Sequence, residues 1–357
     1  MNARWRGALG IALSALLLVW VLHGVTWAEV AAHVRRANVA LLVLSAFVAT
    51  LTFPLRARRW RTILEPIAGR LPFGMLWRAT AVGMMANNVL PARTGELIRA
   101  YVLTRETDRV RYATAFASIA ADRAFDAIVV LVLLVAAVFD PAFPATRLGG
   151  VAGAHAMSTW IGFGAALVGG ALVALYVLLF FPALLARMVS AIARRIAPSL
   201  ERRGVDLVHA FAGGLTVLRR PTHAAAVLWW TLLHWLTNAL AFWIGFRAVG
   251  IDAPLTSALL VQGLIALGIA IPSAPGFWGI FEAAGKVGLA IYGVHESLAV
   301  TWAVAYHVVS FIPITLIGIY YVGRLGLRMG ELRRMNAAPD APPGTDAASP
   351  ADRGASA

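Results

Sequence analysis

The chain has 357 residues, of which 60% are hydrophobic and only 13% are charged, and its formal net charge is +14. Soluble domains carry about 25% charged residues, so a surface this poor in charge is tolerated only in lipid. The composition excludes an ordinary soluble domain and predicts a polytopic integral membrane protein. There is no cysteine, which excludes disulfides and thiolate metal sites.

Six apolar segments are close to the roughly 20 residues that a helix needs to cross the bilayer core. In chain order they are 7–25, 39–55, Tyr112–Val138, 160–181, 224–249 and 298–323. Two further apolar segments, 74–104 and 255–293, are interrupted by proline, glycine and charged residues. The predicted fold is therefore all-α, with six clear transmembrane helices and two broken helical segments. Each broken segment is either a re-entrant hairpin or a close pair of crossings.

Arginines orient these segments through the positive-inside rule. They cluster before the first span, before Tyr112, in the loop 187–220 and after the last span, and Arg56, Arg58, Arg59 and Arg61 follow the second. The opposite loop, 139–159, holds only Arg147. This pattern predicts a bacterial inner-membrane protein with both termini in the cytoplasm and with broken segments that enter from opposite faces. Arg35 and Arg36 do not fit the pattern and are assigned to a short interfacial helix.

The regions outside the spans differ from one another in composition. The loop 187–220 mixes arginines with apolar residues, which predicts amphipathic helices on the inner membrane surface. Residues 336–357 are dominated by Pro, Ala, Gly, Asp and Ser and are predicted to be a disordered tail. We therefore expect a membrane domain over 1–335 followed by that tail.

The sharpest motif lies in the first broken segment. Pro91 has no amide hydrogen and breaks the helix, and Gly95 gives the backbone room. A helix that resumes near Thr94 would point its free amide groups into the membrane interior, a setting that suits an anion. Arg93 and Arg99 can donate paired hydrogen bonds to a phosphate, and Glu96 lies three residues from each. The alternative is a charge-compensated cluster that anchors a short helix at the cytoplasmic interface.

The second motif places Asp122, Arg123 and Asp126 inside the predicted span Tyr112–Val138. A charge at the centre of a membrane helix costs at least about 2.5–3.5 kcal/mol, so these side chains must face the bundle interior or water. They either form a structural ion pair with Arg93 or Arg99 or contribute to a substrate site.

The third motif lies in the second broken segment. Pro275, Gly276 and Gly279 interrupt the backbone, and Glu282 follows early in a new helix. Glu282 either serves a site or neutralises Lys286, four residues on. Two such breaks, entered from opposite faces, are typical of an inverted-repeat transporter with a site near the bilayer midplane.

Other polar residues and missing motifs limit the alternatives. The intramembrane residues His234, Asn238 and His307 are interpreted as helix–helix hydrogen-bonding groups. The sequence has no phosphate-loop, metalloprotease or nucleophile-elbow motif and no histidine-rich metal cluster. We therefore expect no catalytic residues, no metal, no cofactor and no enzymatic activity.

The pattern Asn-x-x-Leu-Pro-x-Arg-x-Gly-Glu-x-x-Arg, with the two later motifs, resembles the flippase-like membrane family. That family includes the membrane half of bacterial lysylphosphatidylglycerol synthase, also called the multiple peptide resistance factor. The resemblance extends over about 7–330. The late motif usually reads Pro-Gly-Gly-x-Gly, and Phe277 replaces its second glycine. The resemblance assigns the family's motif positions to Asn88, Pro91, Arg93, Gly95, Glu96, Arg99, Asp122, Arg123, Asp126, Pro275, Gly276, Gly279 and Glu282.

The resemblance implies a lipid flippase or scramblase-like transporter. Arg93, Arg99 and Arg123 would hold the headgroup phosphate, with Asn88 and the carboxylates Glu96, Asp122, Asp126 and Glu282 around them. In the lysyl-lipid proteins an aminoacyl-transferase domain follows, and the expectation here is the translocating half alone. The substrate would be an anionic or amino-acylated phospholipid, or a polyprenyl or hopanoid lipid. The alternatives are a membrane-embedded glycosyl- or phospho-lipid synthase and a non-catalytic assembly factor. The expected partners are membrane lipids, not nucleic acid, with a second copy or a lipid-synthesis enzyme as the protein partner.

Overall fold

The computed structural model describes residues 3–90, 94–144, 181–196, 220–269 and 274–327, and also the single positions 166, 170, 173, 201, 205 and 330. Every regular element in these ranges is helical, which confirms the predicted all-α class. Most of the predicted span 160–181, most of the loop 139–159 and the whole tail 336–357 lie outside the described residues.

Eleven helices occupy this part of the chain, and they are numbered here in chain order. They are α1 (Ala3–Leu22), α2 (Trp27–Arg36), α3 (Val39–Ala68), α4 (Phe73–Val89), α5 (Gly95–Glu106), α6 (Tyr112–Val138), α7 (Pro182–Ile196), α8 (Pro221–Ala248), α9 (Leu255–Ile269), α10 (Ile280–Ile291) and α11 (Glu296–Arg324). A 3₁₀ turn, Pro275–Phe277, lies between α9 and α10.

Three of these helices, α3, α8 and α11, are long and apolar enough to cross a bilayer. The helices α1 and α2 form a pair bent by 84°, which would add a fourth span if the pair crossed as one unit. The predicted bounds of α6 are confirmed, but its 27 residues include Asp122, Arg123 and Asp126. The chain is thus a multi-pass membrane protein, and the remaining spans stay predictions. The predicted interfacial helix at Arg35 and Arg36 corresponds to the end of α2.

The helix α3 continues well beyond the predicted end of the second span. It runs for 30 residues, from Val39 to Ala68, through Pro54 and through the four arginines between 56 and 61. The prediction that these arginines follow the helix is therefore wrong. The helix continues because Arg56 and Arg59 are buried and find partners on α6.

The bundle has an apolar interior and an apolar outer surface. One core group joins α8 to α11 around Phe242, Trp302 and Tyr306. A second group joins α3 to α6 around Trp60 and Met85. Large apolar side chains also cover the outside of the spans. Examples of these exposed residues are Leu16, Val39, Leu240 and Leu316. An outer surface of this kind is stable against lipid tails.

Both predicted breaks occur where the sequence placed them. The first broken segment is α4, which ends at Val89, followed by α5, which begins at Gly95. The second is α9, the 3₁₀ turn and α10, which begins at Ile280 after Gly279. Pro91 and Arg93 lie outside the described residues.

The helix α7 begins the predicted amphipathic region on the membrane surface. Leu184, Met188 and Ile192 follow one another at four-residue spacing and are exposed. Residues at this spacing share one face of a helix, so α7 presents an apolar stripe. Most of the region after it, up to Arg220, lies outside the described residues.

Candidate functional site

The first break is held together by contact between the backbones of α4 and α5. A Cβ atom on Gly95 would lie 2.0 Å from the carbonyl oxygen of Gly83, so only glycine fits there. The Asn87 side-chain oxygen accepts a hydrogen bond of 2.8 Å from the Gly95 amide. Glycine is therefore needed at position 95, the predicted helix break, because α4 and α5 pack closely there. The neighbouring Asn88 donates to the Thr315 hydroxyl on α11 at 2.8 Å.

Two carboxylates and two arginines lie at the centre of a buried charge cluster between α3 and α6. Arg59 Nε lies 2.6 Å from Asp122 Oδ1, and Arg59 Nη1 lies 2.6 Å from Asp126 Oδ1. Arg56 Nη2 lies 3.0 Å from Asp126 Oδ2. All four side chains are buried. Such pairs are stable in a low-dielectric interior only when both partners are present.

Arg99 on α5 completes the inner part of this cluster. Its Nη1 lies 3.3 Å from Asp122 Oδ2, and its guanidinium lies 4.0 Å from the centroid of the Trp60 ring. The Trp60 indole donates to the Ser118 hydroxyl at 2.8 Å. Arg99 and Asp122 are fully buried, so in this conformation their contacts are structural. This arrangement corresponds to the ion pair between Arg99 and Asp122 that the sequence raised as an alternative.

Arg123 and Glu96 form the edge of the cluster that reaches open space. Arg123 Nη2 lies 3.0 Å from Glu96 Oε1, and the two side chains are 34% and 17% exposed. Arg123 Nη1 also lies 3.3 Å from Asp126 Oδ2. Both residues line a cavity of about 430 Å³ whose other walls are Phe116, Ile119, Ala120 and Ala124. Glu96 and Arg123 are thus the predicted site residues of the first two motifs that the structure places together at a cavity.

The cluster as a whole carries a surplus positive charge. The described ion pairs join four arginines to three carboxylates, which leaves one positive charge without an acid of its own. The members are Arg56, Arg59, Arg99, Arg123, Glu96, Asp122 and Asp126. Of the four arginines in the described cluster, Arg123 lines the cavity, so an anion in that cavity would complete the charge balance.

Glu282 caps the helix that follows the second break and holds a histidine of α11. Glu282 Oε2 accepts a hydrogen bond of 2.7 Å from the Gly279 amide. Its Oε1 lies 2.6 Å from His307 Nδ1, and His307 Nε2 lies 2.8 Å from the Gly276 carbonyl oxygen. Lys286 instead contacts Glu296 and backbone carbonyls of α1. Glu282 therefore pairs with His307 and not with Lys286, although the four-residue spacing suggested Lys286.

The hydrogen bonds of His307 fix the charge of this pair. The Gly276 carbonyl can only accept, so His307 Nε2 carries a proton. His307 Nδ1 then either accepts from a protonated Glu282 or donates to an ionised one. The pair is neutral in both cases, which suits its burial.

The turn that carries Gly276 and Gly279 has an unusual backbone. Gly276 has φ 69° and Gly279 has φ 87°, the left-handed region that glycine tolerates best. Phe277, between them, has φ 64°. The position at which the family pattern has glycine therefore keeps a glycine-like conformation here.

The two breaks meet inside the bundle. The 3₁₀ turn of the second break packs against α4 of the first. The helix α11 joins them, because Asn88 of α4 is bonded to Thr315 and His307 is bonded to the second turn. A Cβ atom on Gly318 would lie 2.2 Å from the Met85 Cβ, so α11 and α4 are in close contact.

Sequence reasoning missed the arginines that neutralise Asp122 and Asp126. Arg56 and Arg59 were interpreted as topology markers, although their three-residue spacing matches two acids one turn apart on α6. Trp235 also donates a hydrogen bond to Asp126 Oδ1 at 2.8 Å. The interpretation of the lesser polar residues is confirmed, since His234 contacts the Thr52 carbonyl and Asn238 bonds to Gln262.

Comparisons with known proteins identify the family of this chain. A family model described as the lysylphosphatidylglycerol synthase TM region matches residues 7–318. The glycosyltransferase AglD of Haloferax volcanii is 33% identical over 117 residues, which are 33% of this chain and only 19% of that protein. Two UPF0104 membrane proteins of Methanothermobacter thermautotrophicus are 26% and 24% identical. They match 74% and 91% of this chain and 78% and 97% of their own lengths. Because the match covers both breaks and the charge cluster, the chain belongs to the family of lysylphosphatidylglycerol synthase transmembrane regions.

Proposed function

We propose that this protein moves a lipid with a phosphate-bearing headgroup between the leaflets of a bacterial inner membrane and leaves it chemically unchanged. One observation carries the proposal. The two broken segments meet in the bundle beside a charge cluster whose surplus positive charge opens onto a cavity at Arg123. This combination supplies both a polar site and interrupted backbone in one place.

The chemistry of the step is the exchange of partners by a phosphate. An isolated charge in hydrocarbon costs tens of kcal/mol by the Born estimate, so the headgroup must always have fixed partners. Arg123 is paired with Glu96, whose carboxylate occupies the position that a lipid phosphate would take. A phosphate that enters the cavity takes the place of Glu96 through two parallel hydrogen bonds to the guanidinium. The sequence motif also predicts Arg93 as a hydrogen-bond donor to the phosphate.

The breaks supply the gates. Helices α4, α5, α9 and α10 have 17, 12, 15 and 12 residues, and the last three are well short of the roughly 20 that a crossing needs. We therefore favour re-entrant elements that enter from opposite faces, with six full spans around them and both termini in the cytoplasm. This layout is that of an inverted-repeat transporter.

The substrate class follows from the mixed charge of the site. A surplus arginine selects an anionic headgroup, while Glu96 also accommodates a cationic part such as an aminoacyl group. The proposed substrates are anionic or amino-acylated phospholipids and related polyprenyl or hopanoid lipids. A second candidate is a membrane-embedded glycosyl-lipid synthase, which the partial match to a named glycosyltransferase favours.

The test is a translocation assay with purified protein in liposomes. Headgroup-labelled phosphatidylglycerol, lysyl-phosphatidylglycerol and a polyprenyl phosphate are each exposed to a membrane-impermeant quencher. We expect the protein to speed the loss of inner-leaflet signal, and Arg123→Ala and Glu96→Ala to slow it. The matched control is Arg247→Ala, which removes an arginine whose 2.5 Å ion pair with Asp252 is exposed.

Each outcome points to one candidate. Transport by Arg123→Ala at the wild-type rate, at equal insertion, would contradict the proposed site. A chemically altered lipid in the same vesicles favours the synthase. No acceleration for any lipid by folded protein favours an assembly factor.

A further inference from the structure

The four arginines in the second half of α3 face two different directions. Arg56 and Arg59 point into the buried charge cluster. Arg58 and Arg61 have the same three-residue spacing, but they lie on another face of the helix and line a separate groove. The buried cluster therefore uses two of the four arginines and leaves the other two without an assigned role.

This groove lies between α3, the start of α4 and α8. Its volume is about 580 Å³ and it is open on one side. Its apolar wall includes Leu51, Leu55 and Leu233, while Arg58 and Arg61 lie toward the end of α3. Ten residues separate Leu51 from Arg61, a distance of about 15 Å along a helix. The groove thus combines a long apolar trough with a positively charged end.

In the part of the chain that the structure describes, Glu65, four residues after Arg61, acts on this positive end only from beyond ion-pair distance. Neither Arg58 nor Arg61 forms an ion pair with a described carboxylate, and Arg61 Nε is buried there without a hydrogen-bond partner. The Arg58 guanidinium lies 5.4 Å from the centroid of the Trp230 ring, which holds it over the groove. Two guanidinium groups at the end of an apolar trough favour an anionic occupant with an apolar body.

The position of the groove selects a lipid as that occupant. Both α3 and α8 are long and apolar enough to span the bilayer, so a groove between their outer faces opens onto lipid. We infer that this groove is a docking site for one anionic phospholipid. Its phosphate is bound by Arg58 and Arg61 and one acyl chain lies along Leu51, Leu55 and Leu233. The site is distinct from the Arg123 cavity, and its occupancy does not depend on transport.

The test counts bound lipids by native mass spectrometry of the purified protein. The probes are phosphatidylglycerol, phosphatidylethanolamine with the same acyl chains, and glycerol 3-phosphate. We expect wild-type protein to retain one phosphatidylglycerol in preference to phosphatidylethanolamine. The double variant Arg58→Gln/Arg61→Gln should lower this affinity about 25-fold, roughly fivefold for each arginine. Thr237→Trp, which fills the groove and keeps both arginines, should also weaken binding.

The matched control is Arg35→Gln/Arg36→Gln, which removes the same charge from exposed positions on α2. It should retain the lipid, and so should Arg123→Ala, which removes only the proposed transport site. Wild-type affinity in Arg58→Gln/Arg61→Gln would overturn the inference. So would displacement by glycerol 3-phosphate, which would show a free-phosphate site, or a dimer in place of the lipid adduct. Since binding is measured without translocation, its failure is distinct from failure of the transport proposal.

Discussion

At the scale of single residues, Arg59 is the arginine of the buried charge cluster that lies closest to both Asp122 and Asp126. It is fully buried and lies 2.6 Å from oxygens of both Asp122 and Asp126. Those carboxylates are four residues apart on one helix face and repel each other unless positive charge lies between them. Removing Arg59 takes the shortest ion pair from each of two buried carboxylates, and the loss of buried pairs costs far more than an exposed pair is worth.

We therefore expect Arg59→Leu to destabilise the protein by about 3–5 kcal/mol. Thermal unfolding in lipid-free detergent, together with the yield of monodisperse protein, measures the loss. Arg58→Leu is the matched control, because Arg58 is the adjacent residue but faces the open groove. Equal losses for the two variants would show that the buried ion pairs are not the cause.

Phe277 permits a second prediction about a single residue. Its φ of 64° places it in the left-handed region, which costs a residue with a Cβ atom about 1–2 kcal/mol. Phe277→Gly should relieve this strain and leave the midpoint of thermal unfolding unchanged or higher. Phe277→Val should lower it, because a β-branched side chain is least tolerant of positive φ. A lower midpoint for the glycine variant than for the valine variant would contradict the strain argument.

At the scale of elements, the first break depends on contact between two helix backbones. Gly83 and Gly95 let α4 and α5 approach so closely that neither position has room for a side chain. That approach brings Arg99 of α5 to Asp122 and Glu96 to Arg123 of α6. The geometry of the break and the geometry of the charge cluster are therefore set by the same contact.

A single methyl group tests this dependence. In Gly95→Ala the new Cβ atom would lie 2.0 Å from a backbone oxygen that cannot move aside, so we expect a loss of about 1–3 kcal/mol of stability and slower lipid translocation. The control is Gly74→Ala in α4, where the nearest atom is a flexible arginine tip at 3.3 Å. That variant should be neutral or stabilising because alanine favours the helix. Equal behaviour of the two variants would argue against the close contact.

At the scale of the whole molecule, features that depend on neighbouring residues could be predicted from the sequence. Contacts between distant segments could not. Both breaks follow from proline and glycine, and α6 follows from an apolar run whose bounds are confirmed. The extent of α3 could not be predicted, since the positive-inside rule treats arginines as loop markers. Only the fold shows that Arg56 and Arg59 meet two carboxylates far along the chain. The contact between His307 and Glu282 was missed for the same reason, because it joins separate helices.

The orientation of the molecule in the membrane is a prediction that the absence of native cysteine makes testable. Helix α6 is 27 residues long, or about 40 Å at the helical rise, so its two ends should lie on opposite faces. Asp108 precedes α6 and Ala142 follows it, and both are exposed. The positive-inside rule places Asp108 in the cytoplasm and Ala142 outside. A membrane-impermeant maleimide should therefore label Ala142→Cys in intact cells and Asp108→Cys only after lysis. The reverse pattern would invert the proposed topology, and labelling of both in intact cells would mean that α6 does not cross.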